Sequence, residues 1–256
     1  MSVNVTPLGA RNPLCTTIRK AIQKGIRTED GFAVVEGFHL VDEAYRSNLL
    51  VDTVIGTDAA LQNWQVPLEA YTATRAFSVD SVTFSTFSTT ETPQGILALV
   101  RLPEWEMEDL LGFPALVVIL DGLQDPGNAG AVVRAAEAFG ATGVVFLKGS
   151  ASPYHPKTLR AAAGSLFRIP FVPAAGLPDF EFPLYSTAKA DAEPIDAVGW
   201  RQPCGIVIGS EGHGVRPEIL AVTRPVTIPT RTVESLNAAV AAGIVLYEAR
   251  RQRNRP

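Results

Sequence analysis

Apolar and small residues recur with helical spacing through PLCTTIRKAIQKG (13–25), and the closing glycine predicts a helix that stops there. The segments that follow alternate in kind. FAVVEG (32–37) predicts a strand, HLVDEAYRSN (39–48) a helix and VDTVIGT (51–57) a second strand. SVDSVTFSTFS (78–88) reads as a short helix and GILALV (95–100) as a buried strand. Residues 1–102 thus outline a small α/β domain. An acidic, proline-containing stretch at 103–113 then reads as a linker.

The second half, 114–256, has a different rhythm. PALVVILD (114–121) is a continuous apolar run, which parallel strands buried on both faces show. A loop, the helix NAGAVVRAAEAFG (128–140) and the strand TGVVFLK (142–148) complete a βαβ unit. Further strands are expected at PLYSTA (183–188), CGIVIGS (204–210) and PVTIP (225–229), with a last helix beginning near Ser235. The pattern predicts a doubly wound parallel sheet. No internal repeat interrupts it.

Composition narrows the class. Hydrophobic residues make up 46% of 256 and charged ones 19%, enough apolar material for a sizeable core. No apolar run is long enough for a membrane helix, and MSVNVTPLGARNPL has no apolar stretch of the kind a secretory leader carries. Cys15 and Cys204 show neither metal-ligand spacing nor a disulfide framework, which fits a cytoplasmic protein without a metal. The net charge of −4 is unevenly spread. Arg11, Arg19, Lys20, Lys24 and Arg27 stand in a stretch without acids, and Arg250, Arg251, Arg253 and Arg255 crowd the end. Such local basic footprints are compatible with a polyanionic partner, and equally with solvated helix faces.

Open α/β sheets bind ligands beyond the carboxyl ends of their strands, so chemistry is sought there. The first exit is DGLQDPGNAGAVVRAAEAFG (121–140). Asn128 suits a helix N-cap, and Arg134 either snorkels or offers a forked cation to a site. The second, IVIGSEGHGV (206–215), places Glu211 among three glycines, where the backbone approaches something closely or simply turns. His213 has no evident partner and reads as a loop residue. The third, IPTRTVESLNAA (228–239), offers Ser235 as an N-cap and puts Asn237, a poor helix former, in the first turn. A G-x-G-x-x-G fingerprint, a P-loop and a glycosidase carboxylate pair are all missing.

Jointly these stretches resemble the three signature motifs of the SpoU, or TrmH-like, class of SPOUT RNA methyltransferases. Asn128, Gly130, Arg134 and Ala136 match its N-x-G-x-x-x-R-x-A; Gly209, Glu211, Gly212 and Gly214 match G-x-E-G-x-G. Ile228, Pro229, Ser235, Leu236 and Asn237 match I-P…S-L-N. RTEDGFAVVEGFHLVDEA and TTETPQGILALV make the first half similar to the family's L30e-like substrate-binding domain.

The resemblance replaces the ordinary doubly wound sheet with an α/β-knot, in which the C-terminal helix threads a loop as a deep trefoil knot. It implies transfer of a methyl group from S-adenosylmethionine to a ribose 2′-hydroxyl, of ribosomal RNA in preference to transfer RNA. It further implies a homodimer through the knotted domain. The implied catalytic set is Asn128, Arg134, Glu211, Ser235 and Asn237, with Thr187, Gly209, Ile228 and Leu236 around the cofactor. Arg134 is placed near the reacting hydroxyl, and because a guanidinium keeps its proton, holding a phosphate suits it better than acting as base. Arg11, Arg19, Lys20, Lys24, Arg27 and the arginine tail become phosphate contacts. One departure stands out: the family's I-P-M-x-G run is IPTRTVE here, with Thr230 for Met, no glycine and a loop one residue shorter. Rival readings are an RNA-binding module of this fold without catalysis and, more distantly, a nucleotide-dependent oxidoreductase.

Overall fold

The computed structural model describes residues 5–64, 74–188, 192–233 and 235–254, so Arg255 of the arginine tail lies outside the described residues. The chain forms two compact units. One comprises Met1–Pro103 together with Tyr154–Arg168, the other Glu104–Pro153 and Ile169–Pro256.

The first unit holds a five-stranded sheet of β1 (Val5–Pro7), β2 (Ala33–Glu36), β3 (Leu50–Gly56), β4 (Arg75–Ser78) and β5 (Ile96–Arg101) in the order β1-β4-β3-β5-β2. β5 runs antiparallel to β2 and β3, while the other pairs are parallel. Helix α1 (Pro13–Lys24) begins at Asn12, whose side chain accepts from Leu14 N, and ends at Gly25 in the left-handed region at φ 61°, as the glycine predicted. Its buried face, Cys15, Ile18, Ala21 and Ile22, packs with Val34, Ile55, Leu97 and Leu99 into one apolar cluster. Helices α2 (Phe38–Arg46), α3 (Asp58–Asn63) and α4 (Ser81–Ser85) complete the first 103 residues.

The segment Tyr154–Arg168 groups with this unit, although the sequence had assigned it to the C-terminal domain. The reason is electrostatic. Glu36 is only 4% exposed, and Arg160 from α6 (Pro156–Ala162) pairs with it at 3.1 Å. A buried carboxylate without such a partner would be costly. Ser88, Thr89 and Thr90 donate to the same carboxylate, and Arg168 pairs with Glu43.

The second unit is built on a seven-stranded sheet whose registered pairs are all parallel. Its strands are β6 (Leu116–Asp121), β7 (Gly143–Leu147), β8 (Phe171–Ala174), β9 (Leu184–Thr187), β10 (Glu193–Pro194), β11 (Cys204–Gly209) and β12 (Arg224–Thr227). The order β10-β12-β9-β11-β6-β7-β8 places β6 at the point where the chain, after filling one side, turns to fill the other. That reversal is the crevice where open α/β sheets hold ligands. Strands β6, β7 and β11 are buried at every position, which accounts for their unbroken apolar runs.

Helices α5 (Pro126–Ala138) and α8 (Ala238–Arg253) lie side by side, with α7 (Pro217–Leu220) between β11 and β12. Phe139 and Tyr247 meet edge to face at 5.8 Å near the ends of the α5–α8 pair. The arginines of α8 differ from expectation. Arg253 donates to the carbonyls of Pro114, Ala115, Trp200 and Gln202, and Arg251 pairs with Glu248. Those two guanidiniums hold the fold together and are not free for phosphate.

Candidate active site

The cleft of the second unit opens where β9, β11 and β12 end. Thr187 ends β9 ahead of Ala188, Gly209 ends β11 ahead of Ser210 and Glu211, and Thr227 ends β12 ahead of Ile228; Ser235, Leu236 and the first turns of α8 close the remaining side. Its walls are apolar at Ile208, Val226, Ile228 and Leu236, and its polar side chains are those of Thr187, Ser210, Glu211, Thr227, Thr230 and Ser235.

Two glycines shape the loop that carries Glu211. Gly214 sits at φ 71°, a region that favours glycine, and its backbone bridges Ser210 in both directions at 2.9 and 3.0 Å. Gly209 is packed against that bridge so closely that a β-carbon would stand 2.2 Å from Gly214 C and Val215 N. Backbone touches backbone there, so no side-chain motion could make room. Past the loop, the Arg216 N–H and Nε donate to the two oxygens of Asp121 at 2.8 and 2.6 Å. Asp121 ends β6 and is 1% exposed. The pair ties the root of the Glu211 loop to the root of the segment that leads into α5. Neither the motifs nor the strand exits of the sequence pointed to Arg216.

Local capping also differs from expectation. Asp125, not Asn128, caps α5: its Oδ1 accepts from Asn128 N at 2.7 Å, with Pro126 opening the helix. Asn237, not Ser235, caps α8, accepting from Ala239 N at 2.9 Å and Val240 N at 3.2 Å. Both corrections have one cause. Each segment offers two capping residues, and the more strongly placed one leaves the other side chain free for tertiary contacts. Asn128 Nδ2 donates to Glu211 Oε1 at 2.5 Å, and Asn237 Nδ2 donates to Asn128 Oδ1 at 3.1 Å. A relay therefore runs from the α8 cap through Asn128 to Glu211, joining residues 83 and 109 positions apart.

Of the residues expected in the site, Thr187, Gly209, Glu211, Ile228, Ser235 and Leu236 line the cleft, and Asn128 and Asn237 adjoin it through Glu211. Arg134 is not brought to them. It is exposed on α5, two turns beyond Asn128, and makes no hydrogen bond or ion pair among the described residues. The five cations of 11–27 belong to the first unit, where Arg19, Lys20 and Arg27 are engaged, Arg27 lying 5.0 Å from the Tyr154 ring. Arg19 donates to Thr86 and lies 5.2 Å from the Phe87 ring, and Lys20 pairs with Glu29 at 2.8 Å. His213 stands exposed at the tip of the Glu211 loop. Among the described residues no group of His, Cys, Asp and Glu could hold a metal ion, and no helix is long and apolar enough to cross a membrane.

Residues 115–247 match the family model for the SpoU rRNA Methylase family, and residues 12–98 match that for an MRM3-like substrate binding domain. The chain is 33% identical over 250 residues to the 23S rRNA (guanosine(2553)-2′-O)-methyltransferase RlmP of Bacillus subtilis, covering 94% of this chain and 97% of that one. Among solved structures it is similar to the SpoU methyltransferase AviRb from Streptomyces viridochromogenes in complex with the cofactor AdoMet. That likeness has a TM-score of 0.81 and 26% identity, over 95% of this chain and 98% of the other. An AdoMet-bound rRNA methyltransferase from Sinorhizobium meliloti superposes with a TM-score of 0.77 at 26% identity, covering 96% and 98%.

Proposed function

The chain belongs to the SpoU rRNA methylase family, and from that premise we propose that it transfers the methyl group of S-adenosylmethionine to a ribose 2′-hydroxyl of ribosomal RNA. The observation that carries the reading is the relay Asn237–Asn128–Glu211 at the rim of a cleft with apolar walls. The residues present fit the cofactor. Ile208, Val226, Ile228 and Leu236 suit the flat adenine and the methionine stem, and Gly209 lets the Ser210–Gly214 bridge close against the strand end that borders the cleft. Among the described residues Glu211 is the one carboxylate lining that cleft, and it complements a sulfonium cation. Thr187, Gly209, Ile228 and Leu236 are assigned to the cofactor.

When bound, S-adenosylmethionine supplies an electrophilic methyl group on positively charged sulfur. The protein's work is to hold the hydroxyl oxygen in line with that methyl and to accommodate its departing proton. Glu211, fixed through one oxygen by Asn128, keeps its second oxygen free of hydrogen bonds among the described residues and can orient the ribose. Ser235 faces the same space. Arg134 is assigned to the phosphate beside the reacting ribose, since a forked cation matches phosphate oxygens.

The wider arrangement follows the same reading. The first unit is the substrate-binding domain, with Arg11, Arg19, Lys20, Lys24 and Arg27 toward RNA. The C-terminal helix is read as the threaded element of a trefoil knot. Val240, Ile244 and Tyr247 recur at i, i+4 and i+7 along α8, and all three are exposed at 51%, 36% and 57%. That stripe is assigned to a homodimer, in which Arg134 on the adjacent helix would face a second copy. Two buried thiols and an RNA substrate suit the cytoplasm.

The test is methyl transfer from labelled S-adenosylmethionine to unmodified ribosomal and transfer RNA, with nucleoside analysis of the product. A 2′-O-methylated nucleoside in ribosomal RNA is expected. Label on a base would overturn the ribose assignment, and label confined to transfer RNA would overturn the substrate. Cofactor binding without transfer to any RNA would favour the non-catalytic binding module.

A further inference from the structure

The second unit carries another cavity, at the far end of two strands that border the cleft. β9 runs from Leu184 to Thr187 and β12 from Arg224 to Thr227; their last residues line the cleft, and their first residues line this cavity. The loop before β9 supplies Leu177, Asp179, Phe180 and Phe182, and the turn after α7 supplies Val222. The cavity encloses about 310 Å³, at the small end of the range for ligand pockets, so it suits one compact group.

Its walls are fixed from both sides. The Phe180 and Phe182 rings stack at 4.9 Å and 17°, and both pack against the core cluster that includes Val117, Ile119 and Val207. Gly205 on β11 makes that seat possible: a β-carbon there would stand 2.4 Å from Leu184 Cδ2 and 3.6 Å from Phe182 Cε2. Across the cavity, Thr223 Oγ1 donates to the buried Ser186 Oγ at 2.9 Å, which holds its neighbours Val222 and Arg224 to β9. Asp179 and Arg224 are the charged residues of the lining; both are exposed, and neither side chain makes a hydrogen bond or ion pair among the described residues.

An acceptor-only carboxylate, a forked cation and a stacked aromatic pair around one small space call for a particular ligand. It is flat, donates hydrogen bonds along one edge and carries a negative charge nearby. A nucleotide has all three features, and among the RNA bases guanine alone presents adjacent N1–H and N2–H donors to a carboxylate. We propose that this cavity binds one unpaired guanosine nucleotide of the RNA substrate, with the base against the Phe180–Phe182 pair, its edge on Asp179 and a phosphate on Arg224. The inference rests on the RNA-methyltransferase reading and adds to it a second nucleotide site, apart from the cleft assigned to the cofactor. Through it the enzyme reads a base other than the nucleotide it methylates.

The experiment is fluorescence anisotropy with end-labelled uridine pentamers that carry guanosine, inosine or adenosine at the centre. Wild-type protein is compared with Asp179→Asn and Arg224→Gln, at exposed positions whose substitution leaves the core untouched. Wild type should bind the guanosine probe about tenfold tighter than the inosine probe, which lacks the 2-amino donor. Asp179→Asn should erase that preference and leave the adenosine probe bound as in wild type. Arg224→Gln should reduce the slope of log K against log salt by about 0.7 with every probe. In turnover on transcribed ribosomal RNA, Asp179→Asn should raise the RNA KM and leave the S-adenosylmethionine KM unchanged. Equal affinity of wild type for the three probes, or a guanosine preference that survives in Asp179→Asn, would overturn the site; intact methylation of ribosomal RNA would then leave the function standing. Variants that alter sedimentation of the protein and not its RNA affinity would assign the cavity to a second copy of the chain and sink the proposal. Wild-type protein that neither methylates ribosomal RNA nor binds any probe would overturn the function and the site with it.

Discussion

The Asp121–Arg216 pair lies outside the sequence motifs, yet it anchors the loop that carries Glu211. Consider Arg216→Met. The side chain keeps its approximate length but loses its charge, so Asp121 Oδ1 loses the donor now 2.6 Å away. Asp121 Oδ2 keeps the backbone N–H of residue 216 at 2.8 Å. Removing one partner of a fully buried pair costs about 3–5 kcal/mol. Here the Arg216 side chain is 40% exposed, and one hydrogen bond survives, so a discounted loss of about 1–3 kcal/mol is expected. In a chain of this length that corresponds to a fall in Tm of roughly 3–10 °C.

The effect on chemistry should exceed the effect on stability. Glu211 stands five residues before Arg216, and a misplacement of about 1 Å at a reacting site can cost 100-fold. Methyl transfer should therefore drop about 10- to 100-fold at a temperature where the variant is still folded. The assay that isolates the cause is a double-mutant cycle with Glu211→Gln, whose amide oxygen can still accept from Asn128. If Arg216 acts by positioning Glu211, Arg216→Met should add little in the Glu211→Gln background. Fully additive losses would refute positioning, and a wild-type Tm together with wild-type turnover would refute the account of the pair altogether.

Four other perturbations separate neighbouring roles. Gly209→Ala puts a methyl group 2.2 Å from backbone, so the loop must shift, at about 1–3 kcal/mol, and calorimetry should show weakened S-adenosylmethionine binding. Asn237→Asp keeps an acceptor for Ala239 and Val240 but cannot donate to Asn128, so the melting temperature should hold while turnover falls; equal loss of both would contradict the relay. Arg134→Ala should leave folding and cofactor affinity intact and lose most methyl transfer, because the side chain contacts nothing in its own cleft. Burial, reinforced by the positive charges of Lys157 and Arg160, depresses the pKa of His155, the N-cap of α6, so the folded state binds fewer protons than the unfolded one. Stability from this group is thus present above the ordinary value of about 6.5 and lost as pH falls through the folded value. His155→Asn, which can cap without titrating, should flatten that part of the Tm profile.

How much of this was legible in the chain depended on whether the signal was local. Strands β6, β7 and β11 lie in continuous apolar runs, and α1 ends at its glycine, because burial on both faces and a left-handed cap leave marks at the positions concerned. β1, β4 and β10 left none. They are two to four residues long and gain their order from a neighbouring strand. The grouping of 154–168 with the first unit was illegible for the same reason. Its attachment to the first unit is decided by Arg160 meeting Glu36, a pairing over 124 positions that no window of sequence contains.

The site divides along the same line. Glycines and polar residues at strand exits marked the loops, but not which polar atom would do what. Asn128 and Ser235 were good caps by type, and in each case a neighbour caps instead, Asp125 in α5 and Asn237 in α8. For Asn128 the consequence is functional. With Asp125 capping α5, Asn128 has both ends of its amide for tertiary contacts: Oδ1 accepts from Asn237 while Nδ2 donates to Glu211. Asn237 does both, capping with its oxygen and donating with its nitrogen, which is why an amide suits this position where a carboxylate would serve the helix alone. The polar entrance to an otherwise apolar helix is thus where the stability of α8 and the geometry of the site are set by the same residue.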